Sequence, residues 1–179
     1  MTGPIHTIGH SNRDTETLLG LLTAHGIDHI VDIRSSPRSR RHPHFNRDVM
    51  SAWLSANGIG TVWMGRALGG FRKPDPHSPH HALTESGFRG FADHMSTDTF
   101  RDAAISLRGL ESNHVLALMC VEENPDSCHR QFIADYLTVN GVPVEHIRAS
   151  GSSAHRPNPL LRVGNGVLTY DRLAQGTLF

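Results

Sequence analysis

Two thiols eight positions apart, followed at once by a histidine and an arginine, are the densest chemistry in this chain. Cys120 comes near the end of an apolar run (residues 115–121), an acidic loop containing Pro125 follows, and then Cys128, His129 and Arg130 stand in succession. A thiol in or just before the first turn of a helix, beside a histidine and an arginine, is stabilised as thiolate by the helix dipole and the nearby positive charge. That makes Cys128 a candidate nucleophile with His129 as its acid–base partner, although a half-buried thiol in a first turn would read the same way. Cys120 is either a core thiol, as buried cysteines commonly are, or a second reactive group or ligand. Spacing removes three familiar schemes. The phosphatase loop needs an arginine six positions after its cysteine, where this chain has Asp126 and Ala134. Both Cys-x-x-Cys arrangements, the redox pair and the zinc knuckle, fail because seven residues separate the thiols. A metal bound across strands through Cys120, Cys128, His129 or His10 stays open, since its ligands need not be close in sequence.

The elements that would position these groups follow from hydrophobic period and punctuation. Residues 5–8 alternate and meet Gly9, a short first strand. Asp14 or Thr15 starts a helix whose leucines at 18, 19, 21 and 22 form its buried side, and Gly26 closes it. Strands are expected at 29–33, 59–64, 115–121 and 142–147, the last with Pro143 marking its start or an edge. Between them, Asn46 caps a helix carrying Val49, Met50, Trp53 and Leu54, and Phe88, Phe91 and Met95 share one helical face. Thr97 or Asp98 opens another helix, and Phe132, Ile133, Tyr136 and Leu137 recur at helical spacing up to Asn140 and Gly141. Residues 35–45 read as a surface loop, and 73–81, rich in proline and histidine, as an irregular flap. Strands alternating with helices imply an α/β fold: one three-layer domain over residues 1–150, its mostly parallel sheet flanked by helices. Residues 151–179 read as a linker, a small hairpin at 161–163 and 167–170, and a tail.

In such a sheet, ligands bind beyond the carboxyl ends of the strands. That rule gathers His10 and Ser11, Asp32 and Arg34, and Cys120 and Glu122 onto one rim. In these roles Cys128, His129, His10, Asp32, Cys120 and Glu122 are catalytic candidates, while Ser11, Arg34, Arg38, Arg40, Arg41 and Arg130 would hold substrate. Arg34, Arg38, Arg40, Arg41 and Arg47 lie within fourteen residues that contain no acid. Such a loop could clamp phosphates, those of a nucleic-acid backbone included, or could be simply solvated. Phe45 and Trp63 could serve as stacking surfaces, with Trp63 fitting core packing better. No glycine-rich phosphate loop is present, because residues 65–70 lack the Lys and Ser/Thr that should follow.

Bulk composition narrows the classes. Formal net charge is zero, so overall electrostatics does not mark a nucleic-acid binder; of 17 basic residues only Lys73 is a lysine. The longest apolar run is far below the roughly 18 residues of a membrane span. Two cysteines, and no basic-then-apolar leader at the amino terminus, lead to the expectation of a reducing cytoplasm, no structural disulfide and no membrane partner.

Taken in order, Thr7 to Ser11, Asp32 to Arg34, Pro37, Leu68 to Gly70, Met119 to Glu122 and Cys128 to Arg130 resemble the domain-of-unknown-function 488 family. The resemblance spans about residues 5 to 150 and implies that His10, Ser11, Asp32, Arg34, Cys120, Glu122, Cys128, His129 and Arg130 belong to the family pattern. It supplies no reaction. Separately, Gln175, Gly176, Thr177, Leu178 and Phe179 resemble the pentapeptide that docks bacterial replication and repair proteins on the sliding clamp. Gln175, Leu178 and Phe179 would be its contacts, and Gly176 departs from the usual leucine. Three readings remain: an enzyme acting on a phosphate-bearing substrate, nucleic acid included; a non-catalytic nucleic-acid-binding or clamp-adaptor module; and a small-molecule thiol or metal enzyme.

Overall fold

In a computed structural model of the chain, residues 3–172 are described. The terminal pentapeptide with Gln175, Leu178 and Phe179 lies outside them. A six-stranded sheet carries the molecule, in the order β3-β2-β4-β1-β5-β6. Its members are β1 (Ile5–Gly9), β2 (His29–Asp32), β3 (Gly60–Trp63), β4 (Leu116–Cys120), β5 (Val144–Arg148) and β6 (Gly151–Ala154). The first five run parallel, and β6 pairs antiparallel with β5. A separate hairpin follows, β7 (Leu161–Gly164) with β8 (Val167–Tyr170). This is the α/β fold that the alternating pattern implies, with its hairpin.

Side chains alternate along each strand, so the two faces bury different sets. On one face Ile8, Ile30, Ala117, Met119 and Ile147 pack under α1 (Thr15–Ala24) and α2 (Arg47–Ala56). On the other, Ile5, Val31, Leu116, Leu118 and Val144 meet α4 (Ser86–His94), α5 (Asp98–Glu111) and α6 (Arg130–Val139). After β1 the chain crosses to β2 on the first face; after β4 it crosses to β5 on the second. The neighbouring strands β1 and β4 thus send their following segments apart, and a crevice opens at their carboxyl ends.

Main-chain bonds hold that crevice closed at its base. His10 N–H donates to the Cys120 carbonyl at 2.9 Å, and Ser11 N–H to the Val121 carbonyl at 2.8 Å. Gly9 makes this approach feasible, because a Cβ there would lie 1.8 Å from the Glu122 carbonyl oxygen.

Several local expectations need correction. Asn46 precedes α2 but its side chain does not cap it; its Oδ1 accepts from Ser39 N–H at 2.7 Å and so folds the arginine loop instead. Asp14 and Thr97 do cap, accepting from Thr17 N–H and Phe100 N–H. A one-turn helix, α3 (Gly65–Leu68), follows β3. Residues 151–154 are β6 rather than linker, so β5 is not an edge. The stretch 73–81 is no flap: His80 is buried, its Nδ1 accepts from Tyr170 N–H, and Asp75 N–H bonds the Asp93 carboxylate in α4.

A buried polar chain ties the hairpin to the sheet, and with both rings neutral Asp135 sets its proton positions. Asp135 can only accept, so His155 donates through Nε2 at 2.9 Å, His146 donates Nε2–H to His155 Nδ1 at 2.9 Å, and Thr7 donates to His146 Nδ1 at 2.7 Å. Tyr170 donates its hydroxyl to the second Asp135 oxygen at 2.8 Å. No helix among the described residues is long and apolar enough to cross a membrane.

Replacing Gly9 with alanine should cost several kcal/mol, above the roughly 1–3 kcal/mol of ordinary overpacking, because the obstruction is main chain and cannot rotate away. Chemical denaturation measures it. A Gly9→Ala protein as stable as the parent would show that the β1–β4 approach is slack.

Candidate active site

The two cysteines converge on one imidazole. Cys120 at the end of β4 and Cys128 just before α6 place their sulfurs 3.9 and 3.8 Å from His129 Nδ1. All three residues are buried, and their ligating atoms lie within 4.8 Å of one another. The ring is oriented from behind: His129 Nε2 lies 2.9 Å from the Leu68 carbonyl, which can only accept. Nε2 therefore carries a proton, and in the neutral ring the Nδ1 lone pair faces both sulfurs. Close packing completes the arrangement, since a Cβ on Gly70 would lie 2.6 Å from that same Nδ1.

Two thiols in contact away from water cannot both ionise readily. The Cys120 thiol donates to Cys128, which lowers the Cys128 thiol below its ordinary value against the cost of burial, with contact to His129 and the Arg130 charge adding to the effect. The same contact, with burial, pushes Cys120 far above the ordinary thiol range. Of the two, Cys128 is thus the more acidic thiol and Cys120 the proton donor to it.

The cluster forms one end of a cavity of about 460 Å³, whose walls include Ser35, Ser36, Arg38, Phe88 and Glu122. A second, open groove of about 930 Å³ shares Ser35, Ser36 and Arg38 with it and adds Arg40, Arg47 and Trp63. The Arg47 guanidinium lies over the Trp63 ring, 5.0 Å from its centroid. Arg38, Arg40, Arg41 and Arg47 are exposed, and among the described residues none has a carboxylate partner. Arg41 lines neither cavity. The two aromatic residues exchange the roles expected of them: Phe45 is fully buried against His10, with ring centroids 4.2 Å apart, while Trp63 is half-buried at the groove.

Other rim residues prove to be scaffold. Arg34 spends its fork on Asp32, Nε at 2.8 Å and Nη2 at 2.7 Å, with both groups buried. His10 donates Nδ1–H to the Ser11 carbonyl at 2.8 Å and accepts from Arg34 at Nε2, 3.3 Å away. Both its nitrogens are engaged, so it is neither a free acid–base group nor a member of the thiol cluster. Ser11, at φ 51°, serves through its backbone. Arg130 is also withdrawn from substrate: its guanidinium donates to the Glu122 and Glu123 carbonyls and clamps the loop between the cysteines. Arg13, with no mark in the sequence, grips the same loop through Glu123 at 2.6 Å and binds the Gly9 carbonyl. Leu68 and Gly70 belong to the family-like pattern and Phe88 to a helical face, but their part in the site was hidden; only the adjacent Gly69 and Gly70 hint that main chain must pass close to another group.

A family model described as Domain of unknown function DUF488 matches residues 14–137. That span holds Asp32, Arg34, both cysteines, His129 and Arg130, and begins beyond His10 and Ser11. No curated protein and no solved structure matches the chain.

Burial, with the Arg34 charge, holds His10 down to about 4, although the Ser11 carbonyl and Asp32 oppose the shift. Below the unfolded value of about 6.5 the unfolded chain takes up a proton that the folded chain refuses, so stability falls as pH drops from about 6.5 toward 4. The slope is up to about 1.4 kcal/mol per pH unit for this one group. His146, held at about 3 chiefly by burial, acts in the same direction. Urea denaturation at pH 7 and pH 5 should show His10→Gln losing about 2 kcal/mol of the parent's acid sensitivity; an unchanged difference between the two pH values would refute the assignment.

Proposed function

We propose that this chain, which belongs to the DUF488 family, is an enzyme acting on a small phosphate-bearing substrate, nucleotide-sized or less. The carrying observation is the wall that two neighbouring cavities share. One is lined by three unpaired arginines and the Trp63 ring, the other by Cys120, Cys128 and His129, and Ser35, Ser36 and Arg38 belong to both. An anionic group held by Arg38, Arg40 and Arg47 would set the attached reacting group beside the sulfurs, the kind of positioning that converts binding into rate. Trp63 offers a flat face to a base or another planar group. In this reading Cys128 and His129 meet the substrate, Cys120 sets their protonation, and Glu122 and Glu85 are the carboxylates on the cavity wall.

Asp32, Arg34, His10 and Arg130 support the site from behind: Asp32 and Arg34 pair with each other, His10 bonds Ser11 and Arg34, and both terminal nitrogens of Arg130 bond loop carbonyls. The reading places the chain in a reducing cytoplasm, where its two free thiols stay available. An adaptor role for the carboxyl-terminal residues and a polynucleotide partner rest on sequence alone, and no described contact adds to them.

Isothermal titration at low ionic strength with pyrophosphate and with nucleoside di- and triphosphates tests the proposal. Binding should weaken about tenfold in Arg38→Ala and similarly in Arg47→Ala, the cost of one charge-assisted contact. Bound nucleotide should also slow alkylation of Cys128 in chelator-treated protein. Absence of binding, binding indifferent to Arg38, or binding only to long oligonucleotides would overturn it.

A further inference from the structure

We propose that Cys120, Cys128 and His129 form a three-ligand site for a soft divalent cation, zinc in the first instance, with its fourth position open to the cavity. This deepens the functional reading by naming a cofactor. It rests on that reading only for the use of the open position; the capacity to bind metal stands on the ligand geometry.

Distances come first. In a tetrahedral zinc site, bonds of about 2.3 Å to sulfur and 2.0–2.1 Å to nitrogen separate the ligand atoms by roughly 3.5–3.8 Å. Here sulfur and nitrogen are 3.8 and 3.9 Å apart, and the whole set spans less than 4.8 Å. For the two sulfur–nitrogen pairs, closing on an ion requires shifts of a few tenths of an ångström. Ring orientation is the second argument. A ligating histidine characteristically donates its other N–H to a carbonyl or carboxylate, and His129 does so to Leu68 at 2.9 Å. Because Leu68 precedes Gly69 and Gly70, one segment both aims the ring and brings the glycine against Nδ1, where any side chain would fill the ligand space. Chemistry is the third. Two thiolates with an imidazole select zinc and other soft ions over magnesium or calcium.

Pairing alone would explain two adjacent thiols, and a buried histidine alone would explain the Leu68 bond. Neither explains why the ring turns its free nitrogen to both sulfurs and why a glycine keeps that corner open. All three ligands border the cavity, so the fourth position faces the space assigned to substrate. Two cysteines and one histidine with an open position is a catalytic rather than a closed structural ligand set. The neighbouring His10 is no ligand, since both of its nitrogens are engaged.

The test is metal content and affinity of the full chain, purified without chelator from zinc-supplemented medium. Elemental analysis should find about one zinc per chain in the parent and in His10→Gln, and less than a tenth of that in Cys128→Ser and His129→Ala. Should those variants fail to fold, the parent decides alone: cobalt(II) titrated into chelator-treated protein should give thiolate-to-metal charge-transfer bands and tetrahedral d–d bands at one equivalent. Gly70→Ala should weaken zinc binding at least tenfold against a competing chromophoric chelator. A metal-free parent whose cobalt spectrum stays that of the aqueous ion overturns the site. One zinc per chain without any phosphate binding would sustain the metal and sink the functional reading; phosphate binding with no metal uptake would do the reverse.

Discussion

One hydrogen bond orders the site: His129 Nε2–H to the Leu68 carbonyl. It settles which nitrogen carries the proton, and so leaves the other turned toward two sulfurs that arrive on separate elements. Cys120 comes in on the central strand and Cys128 on the approach to α6, while the aiming carbonyl belongs to the last residue of α3. Each of these is fixed elsewhere. Gly9 lets the loop after β4 pass close, and Arg13 and Arg130 hold that loop by its carbonyls and by Glu123. The thiol cluster therefore sits at the meeting point of three restraints, none of which involves a substrate.

That division between held and holding groups explains the sorting of charge around the rim. A buried arginine is costly unless it is paired, and Arg34 spends its fork on a carboxylate while Arg130 gives its two terminal nitrogens to carbonyls. The arginines that remain exposed, Arg38, Arg40 and Arg41 on the loop before α2 and Arg47 at its first residue, lie on a segment that packs poorly, yet the loop is not shapeless. Asn46 pins it through Ser39, and Phe45 anchors it in the core against His10. A basic loop with a fixed base can present its charges in one direction.

Much of this was legible in sequence, for definable reasons. Strand ends and helix starts follow from period and capping, so Cys120, Cys128 and His129 could be assigned to one rim before any coordinates. The α/β class and the parallel sheet followed from the same alternation. Side-chain partners could not be assigned in that way. Whether Asp32 is a base or the partner of Arg34 depends on a two-residue return of the backbone, and whether His10 is free depends on Arg34 reaching it from another strand. β6 escaped because Gly151, Ser152, Ser153 and Ala154 have little strand propensity; the exposed edge of β5 supplies their order. Arg13 and the use made of the Leu68 carbonyl escaped because a long-range grip and a backbone contact leave no trace in composition.

Nitrogen-15 NMR of histidine-labelled protein, with His129 assigned by comparison with His129→Gln, reads the central constraint directly. The account predicts a proton on Nε2 that is shared with the Leu68 carbonyl, with Nδ1 left to the sulfurs. A His129 ring whose proton sits on Nδ1 while Nε2 is bare would contradict it.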